Sequence, residues 1–296
     1  MKILVTGSST QTGSLAVRAL LREGYAVRCL VRGESGQRFL PNAGEQFVCG
    51  DLEDTASLLV ALRGVEAVVN IADIRFAPAV IAACDRAGVR RAIFLSSTRR
   101  YTKFPSPSAR KVCDGEAAIE AGPLDYTILR PSMIYGSARD NNVSRLIGHL
   151  RRRTIFPLVG GGRNLVQPVF VLDVVAALTE SLQRPAAIRR AYTLAGPEPI
   201  SYRRMVESIA VALGRTVKIL PIPYGPALLA ARLYGALVRH PRLTVEQVRR
   251  FGEDRSFDIA AARRDLNFAP IRFSQGIARQ VAGEIDAAWA EPSKDR

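Results

Sequence analysis

Histidine, cysteine and tryptophan are scarce in this 296-residue chain, which has two, four and one of them. The cysteines, at 29, 49, 84 and 113, form no C-x-x-C pair. Three fall in apolar strand or helix segments and read as buried thiols in a reducing compartment. His149 and His240 stand far apart in sequence with no acidic partner at ligand spacing, which predicts no metal site. No G-x-S-x-G elbow is present, so serine hydrolysis lacks its nucleophile. No apolar run approaches the roughly 20 residues that span a bilayer. The nearest, PALLAARLYGALV at 226–238, is short and broken by Arg232. It reads as a buried or lid helix, with contact to a membrane surface as the alternative. The N-terminus, MKILVTG, enters a strand-like run without the charged region and cleavage site of a signal peptide. Together these absences predict a cytoplasmic protein.

Acidic residues are also few: 27 Asp and Glu face 42 Lys and Arg, for a net charge of +15. The arginines are dispersed in pairs such as Arg99-Arg100, Arg189-Arg190 and Arg263-Arg264, with one triple at Arg151–Arg153. A nucleic-acid arm would concentrate this charge on one face with aromatics interleaved. Dispersion instead fits a basic surface that draws in anionic small molecules or lipid headgroups, and predicts no nucleic-acid partner.

The first two-thirds of the chain alternates short apolar runs with helix-period segments. Strand candidates are KILVT (2–6), AVRCLVR (26–32), QFVCG (46–50), EAVVNIA (66–72), AIFLSS (92–97) and DYTILR (125–130). They alternate little, the mark of strands buried on both faces. The helical segments between them imply an α/β fold, a Rossmann-type doubly wound parallel sheet. After residue 131 the rhythm loosens into turn-rich loops. VLDVVAALTESL (171–182) reads as a helix with Asp173 near its start. SYRRMVESIAVALG (201–214) is an amphipathic helix, capped by Ser201 and stopped by Gly214. We expect a dinucleotide-binding domain over 1–185, with loop insertions at 132–165 toward a substrate cleft. A smaller, mostly helical C-terminal substrate domain is expected over 186–296.

VTGSSTQTGSLAV, residues 5–17, follows the first strand and opens a helix near Thr12. A dinucleotide site needs this order, because helix N-terminal amides then point at the pyrophosphate. Gly7 suits the strained turn, and Gly13 permits close helix–sheet packing. Where a third glycine would sit, Thr10 brings a β-branched side chain; its hydroxyl, with Ser8, Ser9 and Thr12, is placed to donate to a phosphate. Asp51 follows the third strand, where a carboxylate can accept from an adenine amino group with Leu52 packed on the ring. The second strand ends at Arg32, suited to a 2′-phosphate, while Glu34 and Arg38 follow. This predicts NADP(H) as preferred cofactor, with NAD(H) possible.

With this turn, GDL, NIAD, FLSST and LRPSMIYG in order, the chain resembles the extended and atypical short-chain dehydrogenase/reductase superfamily. Within it, the likeness is to the NAD-dependent epimerase/dehydratase and NmrA-like groups of nucleoside-diphosphate-sugar-epimerase-like proteins. The resemblance implies cofactor contacts at Gly7, Thr10, Gln11, Thr12, Gly13, Arg32, Asp51 and Leu52. It further implies Ile71 and Ala72 after the fourth strand, and Pro131 and Ser132 near the nicotinamide. The superfamily's catalytic set is a Ser or Thr with a Tyr and a Lys four apart on one helix, where the lysine lowers the tyrosine pKa. Ser97 or Thr98 supplies the first member and Lys111 is a plausible third, but four residues before it stands Pro107. Lys111 is also one residue off the spacing to Glu116 expected of the NmrA-like groups. Tyr101 is the nearest upstream tyrosine, an acid or a wall of the cleft. The expectation is an NADP(H)-dependent oxidoreductase acting on a small carbonyl, enone or imine, monomeric or homodimeric. The alternatives are a non-catalytic NAD(P)-binding sensor or accessory subunit like that of respiratory complex I, and a nucleotide-sugar epimerase.

Overall fold

The apolar runs assemble into a sheet covered on both faces. The computed structural model describes residues 1–33, 46–104, 106–140, 142–238 and 245–286. The chain alternates β1 (Lys2–Thr6), α1 (Gln11–Arg22), β2 (Ala26–Val31), β3 (Gln46–Cys49), α2 (Thr55–Ala61), β4 (Ala67–Asn70), α3 (Ala77–Ala87), β5 (Arg91–Leu95), α4 (Pro107–Ala121) and β6 (Asp125–Pro131). Then come β7 (Ile134–Tyr135), α5 (Val143–Arg152), β8 (Ile155–Val159), β9 (Leu165–Val166), β10 (Val169–Phe170), α6 (Val171–Gln183), β11 (Arg190–Leu194) and β12 (Ile200–Ser201). The last described elements are α7 (Tyr202–Ala212), β13 (Lys218–Ile222), α8 (Tyr224–Leu237), α9 (Val245–Arg250), α10 (Ala260–Leu266) and α11 (Phe273–Val281).

Seven strands form the main sheet in the order β11-β6-β5-β4-β1-β2-β3. Every pairing in it is parallel. This is the Rossmann-type doubly wound fold the sequence predicts, and the strand order reverses between β1 and β4. At such a switch point the flanking loops diverge and leave a crevice beyond the strands' carboxyl ends. Thr6 and Asn70 are paired there in register. The Thr6 hydroxyl donates to Asn70 Oδ1 at 2.6 Å, with both side chains buried, which ties the two strands together where they part.

Each face of the sheet has its own core. One packs Val5, Val17, Leu20 and Val69 with Val174 and Leu178 of α6; the other packs Leu4, Leu58, Val80 and Phe94 with Ile119 of α4. Burying a side chain of this size contributes about 1.5–3 kcal/mol, so the two layers hold the crevice's floor rigid. The strands end earlier than the sequence pattern suggested, β4 at Asn70 and β5 at Leu95. Beyond Leu95, Ser97 Oγ accepts from the Arg99 amide and starts a tight turn over Thr98–Tyr101. The strand β11 at one edge lies past residue 185 and has alternating exposure, unlike the inner strands. The thiols divide: Cys29 and Cys84 are buried and Cys113 is intermediate, but Cys49 is exposed at the end of β3. Burial pushes the Cys84 thiol up to about 12, which makes it inert.

The C-terminal third packs helices around short strand pairs. Ser201 Oγ accepts from the Arg204 amide to cap α7, whose Met205, Val206, Ile209 and Ala210 are buried. α7 lies against α5 and α11. Among the described residues no helix is long and apolar enough to cross a membrane.

Candidate functional site

The turn after β1 is built by its two glycines and by Thr10. Gly7 has φ +68°, and a Cβ there would lie 2.6 Å from the Ala72 nitrogen. At Gly13 a Cβ would lie 2.1 Å from the Gly7 carbonyl oxygen, so α1 crosses the turn at a distance only glycine allows. Thr10 is the N-cap of α1. Its hydroxyl donates to the Gly7 oxygen at 2.8 Å and accepts from the Gly13 amide at 3.0 Å. The hydroxyl is thus folded back on the turn, while Thr10 lines the cavities on both sides of it. The Gln11 and Thr12 amides, first in the helix, have no partner within it. Ser8 Oγ and Gln11 Nε2 are buried without a hydrogen-bond partner in the protein. Unsatisfied donors at a helix N-terminus fit a phosphate group, and on this test the turn suits a dinucleotide.

Two cavities flank this turn. The first, of about 280 Å³, lies between the turn and the ends of β2 and β3, and Gly7, Thr10, Arg32, Asp51, Leu52 and Ala72 line it. Asp51 is oriented on both sides. Its Oδ1 accepts from the Glu53 amide at 2.9 Å, and Ser57 Oγ donates to its carbonyl at 2.9 Å. Asp73, Arg75 and Phe76 complete the rim, with the Arg75 guanidinium 4.4 Å from the Phe76 ring centre. Arg75 and Phe76 carry no mark in the sequence, and Asp73 is marked only as the last residue of NIAD. Ile71 instead joins the core. Glu34 and Arg38 lie outside the described residues.

The second cavity, about 360 Å³, is lined by Thr10, Gln11, Thr12, Ile134, Arg139, Asp140 and Asn142. Arg139 closes over the turn, its Nη2 donating to the Ser9 carbonyl at 3.1 Å. This residue too was missed, because nothing in YGSARDNN marks which of its side chains reaches back 130 residues. Gln280 of α11 holds that loop, donating to Ser137 O at 2.8 Å and to Asp140 Oδ2 at 2.6 Å.

A third cavity, of about 310 Å³, shares Ile134 and Asn142 with the second and is lined also by Ser97, Thr98 and Ser132. The Ser132 amide donates to Leu194 O at 2.8 Å, and its hydroxyl donates to Gln167 O. Pro131 is buried at the end of β6 and is not among the lining residues. The other catalytic candidates lie apart from this cavity's wall. Lys111 is exposed on α4. The Tyr101 hydroxyl accepts from Arg130 Nη1 at 3.1 Å and exchanges a hydrogen bond with Thr193 Oγ1 at 3.2 Å.

Behind Tyr101 is a buried ion cluster. Glu116 is fully buried and receives Arg130 Nη2 at 2.7 Å, Arg100 Nη1 at 2.9 Å and the Ser96 hydroxyl. Burial pulls the Arg130 guanidinium down, but its bonds and charge interaction with Glu116 and Tyr101 outweigh that and hold it above its ordinary value. The position was visible only as a spacing to Lys111; the partners come from β6 and from the turn after β5. His149 stacks edge-on against Phe156 at 5.3 Å, and His240 lies outside the described residues.

A glycine-turned helix N-terminus stands at the switch point of a parallel sheet, with three cavities that share wall residues beside it, the architecture of a Rossmann-type fold. Residues 7–149 match the family model described as NAD(P)H-binding. Over 98% of this chain and 97% of its own length, the uncharacterized protein YbjS of Escherichia coli (strain K12) is 26% identical. An NAD(P)H azoreductase of Xenophilus azovorans is 25% identical over 74% of this chain and 77% of its own. A 2-alkyl-3-oxoalkanoate reductase of Stenotrophomonas maltophilia (strain K279a) is 26% identical over 95% and 99%. Among solved structures, gox2253 has a TM-score of 0.79 at 20% identity, covering 98% of this chain and 99% of its own. The UDP-glucuronic acid 4-epimerase of Bacillus cereus, solved with UDP-glucuronic acid and NAD, has 0.76 at 18%, covering 97% and 100%. These likenesses show the fold.

Proposed function

We propose that this chain is an NADP(H)-dependent oxidoreductase of the atypical short-chain type, reducing a small carbonyl, enone or imine. The observation that carries this reading is that the three cavities adjoin one another through shared wall residues. The first and second share Thr10, and the second and third share Ile134 and Asn142. A dinucleotide laid along them would have its adenosine beside Asp51 and Leu52, its pyrophosphate at the Gln11 and Thr12 amides, and its nicotinamide toward Ser132. Arg32, exposed at the end of β2, would meet a 2′-phosphate as a charge-assisted pair. The reductase names of the azoreductase and the oxoalkanoate reductase support the reaction class.

A bound nicotinamide supplies the hydride. The chain's own part is to orient the acceptor and stabilise the charge that develops on its oxygen or nitrogen. Thr98, and Ser97 beside it, would donate a hydrogen bond to that atom. Tyr101 already has partners in Arg130 and Thr193, and Lys111 is outside the cavity's lining, so the proton is assigned to solvent. A second reading, a dinucleotide-binding sensor or accessory protein without turnover, is favoured by Pro107. It begins α4 in the place where the tyrosine relay would need a phenol.

Calorimetric titration of the cofactor-stripped protein with NADPH and then NADH tests the proposal. We expect NADPH to bind at least ten-fold more tightly, and Arg32→Ala to remove most of that difference. Equal losses for the two cofactors would reject the 2′-phosphate role, and no binding of either would reject the reading. NADPH oxidation over a carbonyl panel, abolished by Thr98→Val, separates the enzyme from the sensor.

A further inference from the structure

The third cavity has an unusual wall. Of its lining residues three are arginines, Arg99, Arg250 and Arg255, and none of the described ones is Asp or Glu. We propose that this cavity takes a substrate bearing an oxyanion, a carboxylate or a phosphate, held by Arg255 with Arg99 and Arg250 beside it. The inference rests on the reading of this cavity as the substrate end of the reductase.

Arg255 is held where a ligand would need it. The chain over 254–257 is fastened to the segment carrying β9 by three hydrogen bonds. The Leu165 amide donates to Asp254 Oδ1 at 2.8 Å, the Arg255 amide to Leu165 O at 2.9 Å, and the Phe257 amide to Gln167 Oε1 at 2.7 Å. Gln167 is itself fixed, its Nε2 donating to Gly196 O at 2.7 Å. A guanidinium on so rigid a segment loses little freedom on gripping an anion, and its planar fork matches a carboxylate or phosphate edge.

Among the described residues Arg255 has no salt bridge. Arg255 Nε is buried without a hydrogen-bond partner. Glu253, the acid whose charge acts on Arg255, is buried and accepts from Thr102 Oγ1 at 3.0 Å and from the Lys103 amide at 2.6 Å. Burial, and then the positive charge of Arg250, pull the Arg255 guanidinium down to about 10, against Tyr202 and Glu253 and with a smaller push from Arg99. It therefore stays a cation at neutral pH while being held close to like charges. A guanidinium buried beside like charge, as Arg255 is, gains when an anion enters. The remaining wall, with Met133, Val166 and Phe257, suits a carbon body. A volume of about 310 Å³ sits at the small end of ligand pockets, so the acid is small.

The experiment pairs anionic probes with neutral counterparts, at fixed ionic strength. Phenylpyruvate and 3-oxooctanoate are compared with their methyl esters, and phenyl phosphate with phenol, by calorimetric titration of the NADP+-saturated protein. We expect at least one anionic probe to bind ten-fold or more tightly than its neutral counterpart. The acids responding alone would assign a carboxylate, and phenyl phosphate alone a phosphate. Arg255→Gln should erase that preference and Arg255→Lys retain part of it. Arg250→Gln, read in parallel, should reduce the preference and serves if Arg255→Gln fails to fold. No anionic preference in the native protein, or a preference surviving in both glutamine variants, would overturn the inference. NADPH titration of the same samples keeps the two readings separate. Lost NADPH binding in the native protein counts against the cofactor reading, whereas intact NADPH binding without anion preference counts against the inference alone.

Discussion

One methyl group at position 13 is enough to test the cofactor turn. The contact a Cβ would make is 2.1 Å to a backbone oxygen and 2.8 Å to Ser8 Cα, and neither can rotate away. Gly13→Ala should therefore shift the turn, cost about 1–3 kcal/mol or more, and weaken NADPH binding more than ten-fold. Gly148 is the contrasting case, since it is exposed within α5 and has nothing within 4 Å of a built Cβ. Gly148→Ala should raise stability by about 0.5–1 kcal/mol, the helix-interior difference, and leave binding alone. Denaturant melts and NADPH titrations of both variants check this; full binding by Gly13→Ala would remove the turn from the site. The two glycines were legible in the sequence because their requirement is geometric and local. What Thr10 does was not, since capping a helix and binding a phosphate ask for the same hydroxyl at the same position. Only its rotamer decides.

Among the elements, the inner strands were legible because burial on both faces leaves an unbroken apolar run. β11 was not, since an edge strand alternates, and the pairs β7–β10, β9–β12 and β8–β13 are too short or too exposed to show a period. α4 is subtler. Its buried acid is set by Arg130 and Arg100, which reach it from other elements, so its sequence suggests Lys111 and its packing selects Glu116. α6 carries a comparable case in Asp173, whose Oδ2 accepts from the Ile271 amide at 3.0 Å. Burial raises its pKa, against the Ile271 hydrogen bond and the Arg279 charge. A raised carboxyl binds its proton more tightly folded than unfolded. Stability therefore increases as pH falls through the folded value toward the ordinary one near 4, and the cost of ionisation is complete above the folded value. Asp173→Asn keeps an acceptor for Ile271 without the charge. We expect it to melt at or above the native temperature at pH 8, and the gap to close as the pH drops toward 4. A fall of more than about 5 °C at pH 8 would mean that the Arg279 interaction, not burial, governs the site.

On the scale of the whole molecule, the net charge of +15 was read from composition as an attraction for anions, but where it acts was not legible. Arg32, Arg139 and the trio around Arg255 come from sequence positions more than 200 residues apart, and the topology aligns them along one line of cavities. If that line is a single dinucleotide groove, its halves can be probed separately. Adenosine 2′,5′-bisphosphate should occupy the Arg32 end alone, and Arg32→Ala should weaken it by the same factor as NADPH, about ten-fold. Nicotinamide mononucleotide should bind weakly and ignore Arg32. Joining the halves turns the second contact into an intramolecular one, so NADPH should bind at least ten-fold more tightly than the bisphosphate. Titrations must share one ionic strength, because screening over about 8 Å at physiological salt would otherwise mimic a lost contact. If the bisphosphate were indifferent to Arg32 while NADPH was not, the phosphate recognised by that arginine would not be the adenosine 2′-phosphate, and the placement of the dinucleotide along the groove would have to be revised.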